Sequence, residues 1–224
     1  NLVHSLGNVV HGDTLLQPEH LNKQKNGLAK FDYVVSNPPF NMDFSDNRDT
    51  LAGEKYKERF WAGVPNIPQK DKKSMGIYLM FIQHIIFSLN DDGIAGIVVP
   101  SGFLTDTGAI QTSIRNLIIK EKMLKAVIQM PTNVFANTNT SVSMIFLDKT
   151  KEFENVMFVD ASKLGSSVKI DDITRTVLSD DEQQQIVEAV KQEEDIPEFA
   201  INVQLDDITA NENMIKPGLY FEMR

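Results

Sequence analysis

The sequence contains no cysteine, which excludes disulfide bonds and thiolate metal sites. Its four scattered histidines, His4, His11, His20 and His84, include no pair at metal-ligand spacing, so we expect no metal centre. The sequence also lacks an apolar run near the roughly 18–20 residues that a membrane-spanning helix needs, and it shows no signal-peptide pattern. We therefore expect a cytoplasmic protein that has no membrane partner.

Positive charge is also scarce, since the net charge is −9. A protein that binds DNA normally presents basic residues to the phosphates. The acidity is uneven, however: residues 1–147 have 14 Lys and Arg against 13 Asp and Glu, whereas residues 148–224 have 8 against 18. The nearly neutral first part can approach DNA if another region or subunit supplies most of the phosphate contacts.

Short apolar, β-branched runs predict five strands. They cover residues 8–13, 31–36, 94–100, 124–130 and 143–148. Apolar side chains on successive positions predict burial on both faces, as in a parallel sheet between helices. The fourth and fifth runs are separated by about a dozen residues without a helical period, which suits an antiparallel last strand.

Helical patterns connect several of these strands. Apolar residues recur at intervals of three and four over residues 75–90, in a helix that we expect to end near Gly93, and again over residues 108–122. Residues 41–74 are polar by contrast and hold the single tryptophan, Trp61, so we predict a long insertion there.

The residues after 150 form the acidic part of the chain. Ser179 and Glu182 have the spacing of a capping box, which predicts a helix from there to about residue 194. We therefore divide the chain into a catalytic part, residues 1–150, and an acidic peripheral extension, residues 151–224.

The tetrad Asn37-Pro38-Pro39-Phe40 directly follows the second predicted strand, at the edge where α/β sheets bind ligands. The Asn37 side-chain oxygen and the Pro38 carbonyl could accept both N–H groups of an adenine amine, and two successive prolines fix this backbone. Phe40 could stack on a flipped-out base, which is worth about 1–3 kcal/mol. A proline pair also commonly just ends a strand and begins a loop, so this simpler interpretation stays open.

An acidic turn precedes the tetrad in the sequence. Asp13 and Thr14 follow the first predicted strand, where a carboxylate could accept the exocyclic amine of a bound adenosyl group. A turn aspartate that caps a helix is an equally ordinary interpretation.

These blocks together resemble a known family. The tetrad resembles the (Asn/Asp/Ser)-Pro-Pro-aromatic motif of amino-methyltransferases, in the form typical of DNA adenine-N6 enzymes. Residues 12–15, 31–40, 92–104, 130–136 and 140–149, in this order, resemble the methylation subunits of type I restriction–modification systems.

The resemblance implies a Rossmann-like S-adenosylmethionine-dependent methyltransferase fold, an α/β fold with a mostly parallel sheet and an antiparallel last strand. It implies that Asn37 and Pro38 hold the amine of adenine in duplex DNA, that Phe40 stacks on the base, and that Asp13 and Thr14, with Asn37, bind the cofactor. Phe135 would form a second wall of the base pocket, unless it is a core aromatic. The partners implied are a DNA-specificity subunit and, in some systems, a restriction subunit.

The sequence departs from the family pattern at its N-terminal side. The glycine-rich cofactor loop, the acidic residue for the ribose hydroxyls and two central strands would precede Asn1. We therefore expect this chain alone neither to bind the cofactor tightly nor to methylate DNA. Two alternatives remain: the same chemistry on an RNA base or a protein glutamine amide, and a non-catalytic scaffold for a specificity subunit.

Overall fold

A six-stranded mixed sheet organises the chain in a computed structural model, which describes residues 6–135, 140–150, 153–170 and 173–221. The strands in chain order are β1 (Phe31–Ser36), β2 (Leu89–Pro100), β3 (Leu124–Gln129), β4 (Val142–Asp148), β5 (Asn155–Asp160), β6 (Ser166–Ile170), β7 (Ile173–Val177) and β8 (Ala200–Gln204). Their order in the main sheet is β1-β2-β4-β3-β5-β8, and β6 pairs with β7 in a separate two-stranded sheet.

Four strands of the main sheet run in one direction. β1 is parallel to β2, β3 is parallel to β5, and β4 lies antiparallel between β2 and β3. The expected antiparallel last strand of the catalytic part is therefore confirmed. β5 and β8, which come after residue 150, extend the same sheet.

Helices lie on both faces of this sheet. They are α1 (Ser45–Leu51), α2 (Tyr78–Ser88), α3 (Ala109–Lys120), α4 (Asp180–Gln192), α5 (Leu205–Ala210) and α6 (Gly218–Phe221). The two helices predicted between the strands are α2 and α3, and the capping box of Ser179 and Glu182 is present at the start of α4. None of the helices in the described ranges has the length and apolar character that a bilayer crossing requires.

The insertion packs on the side of α2 that faces away from the sheet. It contributes α1 and two 3-10 turns, Glu54–Tyr56 and Lys72–Ser74, and it forms a second apolar cluster with α2. Consequently α2 is buried on nearly all sides rather than on one stripe. Trp61 packs against the main core from the insertion, as a side chain that holds the loop to the domain.

β1 differs from the prediction of burial on both faces. Val34 packs against the main core, whereas Tyr33 is 75% exposed and Val35 is 91% exposed on the opposite face. In the described part of the chain, β1 is an edge strand, and no second layer covers this face of it. Burial on both faces does hold for β3, where the successive residues Ala126, Val127 and Ile128 are all buried.

Two expectations about local structure are wrong. Residues 8–13 form no strand: a 3-10 turn, Leu6–Asn8, precedes an extended segment in which Val9 and Val10 are exposed, because no described strand lies beside them to pair with. The helix α2 ends at Ser88, and Gly93 lies inside β2. A Cβ on Gly93 would lie 2.9 Å from the Phe31 carbonyl oxygen, so this glycine allows β1 to approach rather than ending a helix.

Candidate active site

The proline tetrad begins directly after β1, at the carboxyl edge of the parallel strands. Asn37 is exposed, and its amide makes no hydrogen bond within the described part of the chain. Pro38 is buried, and its carbonyl oxygen accepts no hydrogen bond from any described residue. Two oxygen acceptors on neighbouring residues, one on a side chain and one on the backbone, are therefore free at the edge where α/β sheets bind ligands.

Phe40 is half-buried and packs against the main core. Its ring meets the ring of Tyr78, the first residue of α2, edge to face, with centroids 6.4 Å apart and planes at 76°. The Tyr78 backbone N–H also donates to the Phe40 carbonyl at 3.4 Å. The Phe40 ring is therefore held from one side, while part of the residue remains open to solvent.

Asp13 ends the extended segment and caps the turn that follows. Its Oδ1 accepts the backbone N–H groups of Leu15 and Leu16, both at 2.9 Å, and its carbonyl accepts from Gln17 at 2.8 Å. The simpler interpretation of this aspartate, a capping residue, therefore describes one of its two carboxylate oxygens. The residue itself is exposed, as is Thr14, and Oδ2 has no hydrogen-bond partner among the described residues.

A cleft of about 420 Å³ separates this turn from the insertion. Its lining includes Asp13 and Thr14 of the turn, Pro39 of the tetrad, and Met42 and Asp43 of the insertion. The structure thus brings the acidic turn and the tetrad together at Pro39, while Asn37, Pro38 and Phe40 do not line this cleft. In the described ranges, no cluster of His, Asp and Glu could hold a metal ion.

The insertion contributes a buried arginine, Arg59, to this region. It is 5% exposed, and its guanidinium donates to the carbonyls of Thr14, at 3.5 Å, and Leu15. Its charge also lies 4.5 Å from the centre of the Phe60 ring, and burial lowers its pKa from the usual value. Arg59 therefore fixes the acidic turn to the insertion. The sequence carries no signal for such a contact, because the partners are more than 40 positions apart.

Phe135 lies in the loop after β3, on the same edge of the sheet as the tetrad. β2 and β4 separate β1 from β3, so three strand spacings of about 4.8 Å place the two strand ends about 14 Å apart. Phe135 is half-buried, and no ring contact joins it to Phe40 among the described residues. Ala136, the last residue of the block that carries Phe135, lies outside the described residues. A role for Phe135 in the base pocket stays a prediction.

Comparisons with known proteins agree on one family. The family model described as N-6 DNA Methylase matches residues 3–224. The type I restriction enzyme MjaVIII methylase subunit of Methanocaldococcus jannaschii is 30% identical over 93% of this chain and 35% of its own length. The MpnII methylase subunit of Mycoplasma pneumoniae is 27% identical over 98% of this chain and 39% of its own length.

A solved structure is similar over the same region. The type I restriction–modification methyltransferase subunit from Streptococcus thermophilus superposes with a TM-score of 0.73 and 26% identity, over 92% of this chain and 40% of that one. The chain thus spans little more than a third of the length of these relatives. The expected α/β methyltransferase fold with its mostly parallel sheet is confirmed, and the chain belongs to the N-6 DNA methylase family.

Proposed function

We propose that the complete protein transfers a methyl group from S-adenosylmethionine to adenine N6 in duplex DNA, as the methylation subunit of a type I restriction–modification complex. The observation that carries this proposal is the pair of unpaired acceptors, the Asn37 amide and the Pro38 carbonyl, at the carboxyl end of β1. The names of the relatives support the same chemistry.

The two acceptors address the weak point of the reaction. The lone pair of an exocyclic adenine amine is delocalised into the ring, so the amine is a poor nucleophile. Hydrogen bonds from its two N–H groups to Asn37 and Pro38 favour a tetrahedral nitrogen and disperse the positive charge that develops during transfer. Pro38 and Pro39 lack backbone N–H groups and have restricted φ angles, so the backbone carbonyl is preorganised for this role.

The base must leave the DNA stack to reach these acceptors, at a cost of a few kcal/mol. Phe40 follows them in the chain and keeps part of its surface accessible. Stacking of the base on this ring offsets about 1–3 kcal/mol of the cost. We propose Phe135 as the opposite wall of the same pocket.

The cleft beside the tetrad suits an adenosyl group. The Oδ2 of Asp13 has no hydrogen-bond partner among the described residues and can accept an exocyclic amine, and Thr14 beside it is exposed. Asp43 also lines the cleft, and the pKa of its carboxyl is lowered chiefly by the backbone N–H of Ser45. S-adenosylmethionine, when bound, supplies an activated methyl group. We assign its adenine to Asp13 and Thr14 and its reactive end to the side of Asn37. Weak cofactor binding by residues 1–224 alone stays a prediction.

The charge of the chain supports the need for a partner. Residues 1–147 are nearly neutral and the rest of the chain is acidic, so another region of the complete protein or another subunit must supply most of the phosphate contacts. We propose that this is a DNA-specificity subunit, that a restriction subunit joins some assemblies, and that the complex acts on DNA in the cytoplasm.

The variant Asn37→Ala in the complete protein, assembled with its specificity subunit, tests this function. Removing one acceptor should lower the N6-methyladenine formed in unmodified DNA by about 10²–10³-fold, measured by nucleoside mass spectrometry, with assembly unchanged on size exclusion. Asn8→Ala, at an exposed asparagine that does not line the cleft, is the matched control. If an assembled Asn37→Ala complex methylated DNA fully, the hypothesis of a non-catalytic scaffold would remain. Methyl groups found in RNA or on protein glutamine, and not in DNA, would favour the alternative acceptors.

A further inference from the structure

The ring of Phe40 has a defined aromatic neighbour in Tyr78. The 6.4 Å centroid separation and 76° angle fall within the edge-to-face geometry that aromatic pairs prefer. The hydrogen bond from the Tyr78 N–H to the Phe40 carbonyl ties the same two residues through the backbone. A ring held by its neighbour in this way has fewer orientations open to it than a ring on a free loop.

Tyr78 is itself fixed on its other side. It is buried, and its ring meets that of Phe103 edge to face, with centroids 6.1 Å apart and planes at 87°. Burial raises the pKa of the Tyr78 phenol to about 12, so the phenol is uncharged at neutral pH. The nearby Gln111 side chain of α3 opposes part of this rise in the pKa.

Phe103 is anchored in turn by a buried arginine. Arg115 is 1% exposed, and its guanidinium donates to the Phe103 carbonyl at 2.8 Å and to the Asn213 carbonyl at 3.0 Å. The Ile215 N–H donates to the Leu104 carbonyl at 2.9 Å in the same region. The segment around residue 213 therefore closes the far side of the cluster that holds Tyr78.

We infer that Tyr78 is a positioning residue, which fixes the plane of the Phe40 ring against the target base and is itself held by Phe103, Arg115 and the segment around Asn213. This inference rests on the proposed function, because it assumes that Phe40 stacks on the base. Tyr78 touches neither base nor cofactor in this scheme. Its effect on methylation must therefore pass through Phe40.

A double-mutant cycle between Tyr78 and Phe40 tests the inference in the complete protein with its specificity subunit. The measurement is the single-turnover rate of methyl transfer from tritium-labelled S-adenosylmethionine to unmodified genomic DNA. Tyr78→Leu should lower this rate about threefold to tenfold when Phe40 is present, and less than about twofold in a Phe40→Leu background. Tyr78→Phe, which keeps the ring, should restore the rate to within about twofold of the parent.

Two further variants keep the result interpretable. Phe199→Leu removes a buried aromatic residue from a different core cluster and should leave the rate unchanged. Tyr78→Met replaces Tyr78→Leu if that variant fails to fold, as judged by thermal unfolding, because methionine fills irregular space without a ring.

Equal losses from Tyr78→Leu in both backgrounds would show a merely structural role and overturn the inference, while Asn37→Ala still tests the proposed function. A Phe40→Leu variant with the parent's rate would overturn both base stacking and the positioning role. A result that overturns only the positioning role of Tyr78 can thus be distinguished from a result that overturns the proposed methyl transfer.

Discussion

Three buried polar side chains hold separate segments around the candidate site. Arg59 donates to carbonyls of the acidic turn, Arg115 donates to Phe103 and Asn213, and Gln83 of α2 donates to the Gly63 carbonyl at 3.0 Å and accepts the Ala62 N–H at 2.9 Å. A buried polar group is costly unless it is hydrogen-bonded. Each of these residues therefore favours the one arrangement in which its distant partner is in place.

His84 makes stability depend on pH. Burial, with the charges of Arg59 and Lys30, lowers its pKa from 6.5 to about 4. Between these two pH values the unfolded chain therefore binds more protons than the folded chain. The contribution of His84 to the free energy of unfolding is fully present above pH 6.5 and is lost as the pH falls towards 4. We predict that His84→Gln removes about 2–3 kcal/mol of the drop in the free energy of unfolding between pH 7.5 and 4.5.

Denaturant unfolding at several pH values measures this difference. His20→Gln is the control, since that histidine is exposed. If the two variants show the same pH dependence as the parent, the half-buried His84 does not carry the effect.

Strands and helices with local signals were predictable, and those that depend on distant partners were not. β1, α2 and α3 were predicted because the apolar run of β1 and the helical periods of α2 and α3 lie within each element, and two prolines follow shortly after β1. The prediction of a strand at residues 8–13 was wrong because an apolar run becomes a strand only beside another strand with which it can pair. The order of β5 and β8 in the sheet depends on pairing across long separations, which a single sequence does not display.

β1 is an exposed edge with apolar side chains on one face. Tyr33 and Val35 stand out from that face, beside an edge that no described strand pairs with. Exposed edge strands with apolar residues promote pairing between molecules. We predict that residues 1–224 expressed alone self-associate with rising concentration, and that Val35→Lys reduces this.

Sedimentation velocity over a range of concentrations provides the measurement. Val187→Lys, at an exposed valine on α4, is the matched control. Equal self-association of the parent and the Val35→Lys chain would show that β1 is not the contact.

At the scale of the whole molecule, the candidate site lies at the carboxyl edge of the sheet. The tetrad and the acidic turn were identified from sequence because their residue types and positions after apolar runs are local signals. Their common cleft, and the contacts of Arg59 with the acidic turn, could not be predicted, because they depend on the insertion folding back across α2. The chain spans little more than a third of its relatives' length, so the proposed methyl transfer and the proposed partners can be tested only in the complete protein.

The proposed methyl transfer depends most on Asn37 as a hydrogen-bond acceptor for the adenine amine. The most direct measurement is the single-turnover methyl-transfer rate of Asn37→Asp beside that of Asn37→Leu in the assembled complex. Asp keeps an acceptor of similar reach, so we predict measurable transfer by Asn37→Asp and a loss of about 10²–10³-fold for Asn37→Leu. A Leu variant as fast as the parent, or an Asp variant as slow as the Leu variant, would contradict the proposed role of Asn37 as a hydrogen-bond acceptor.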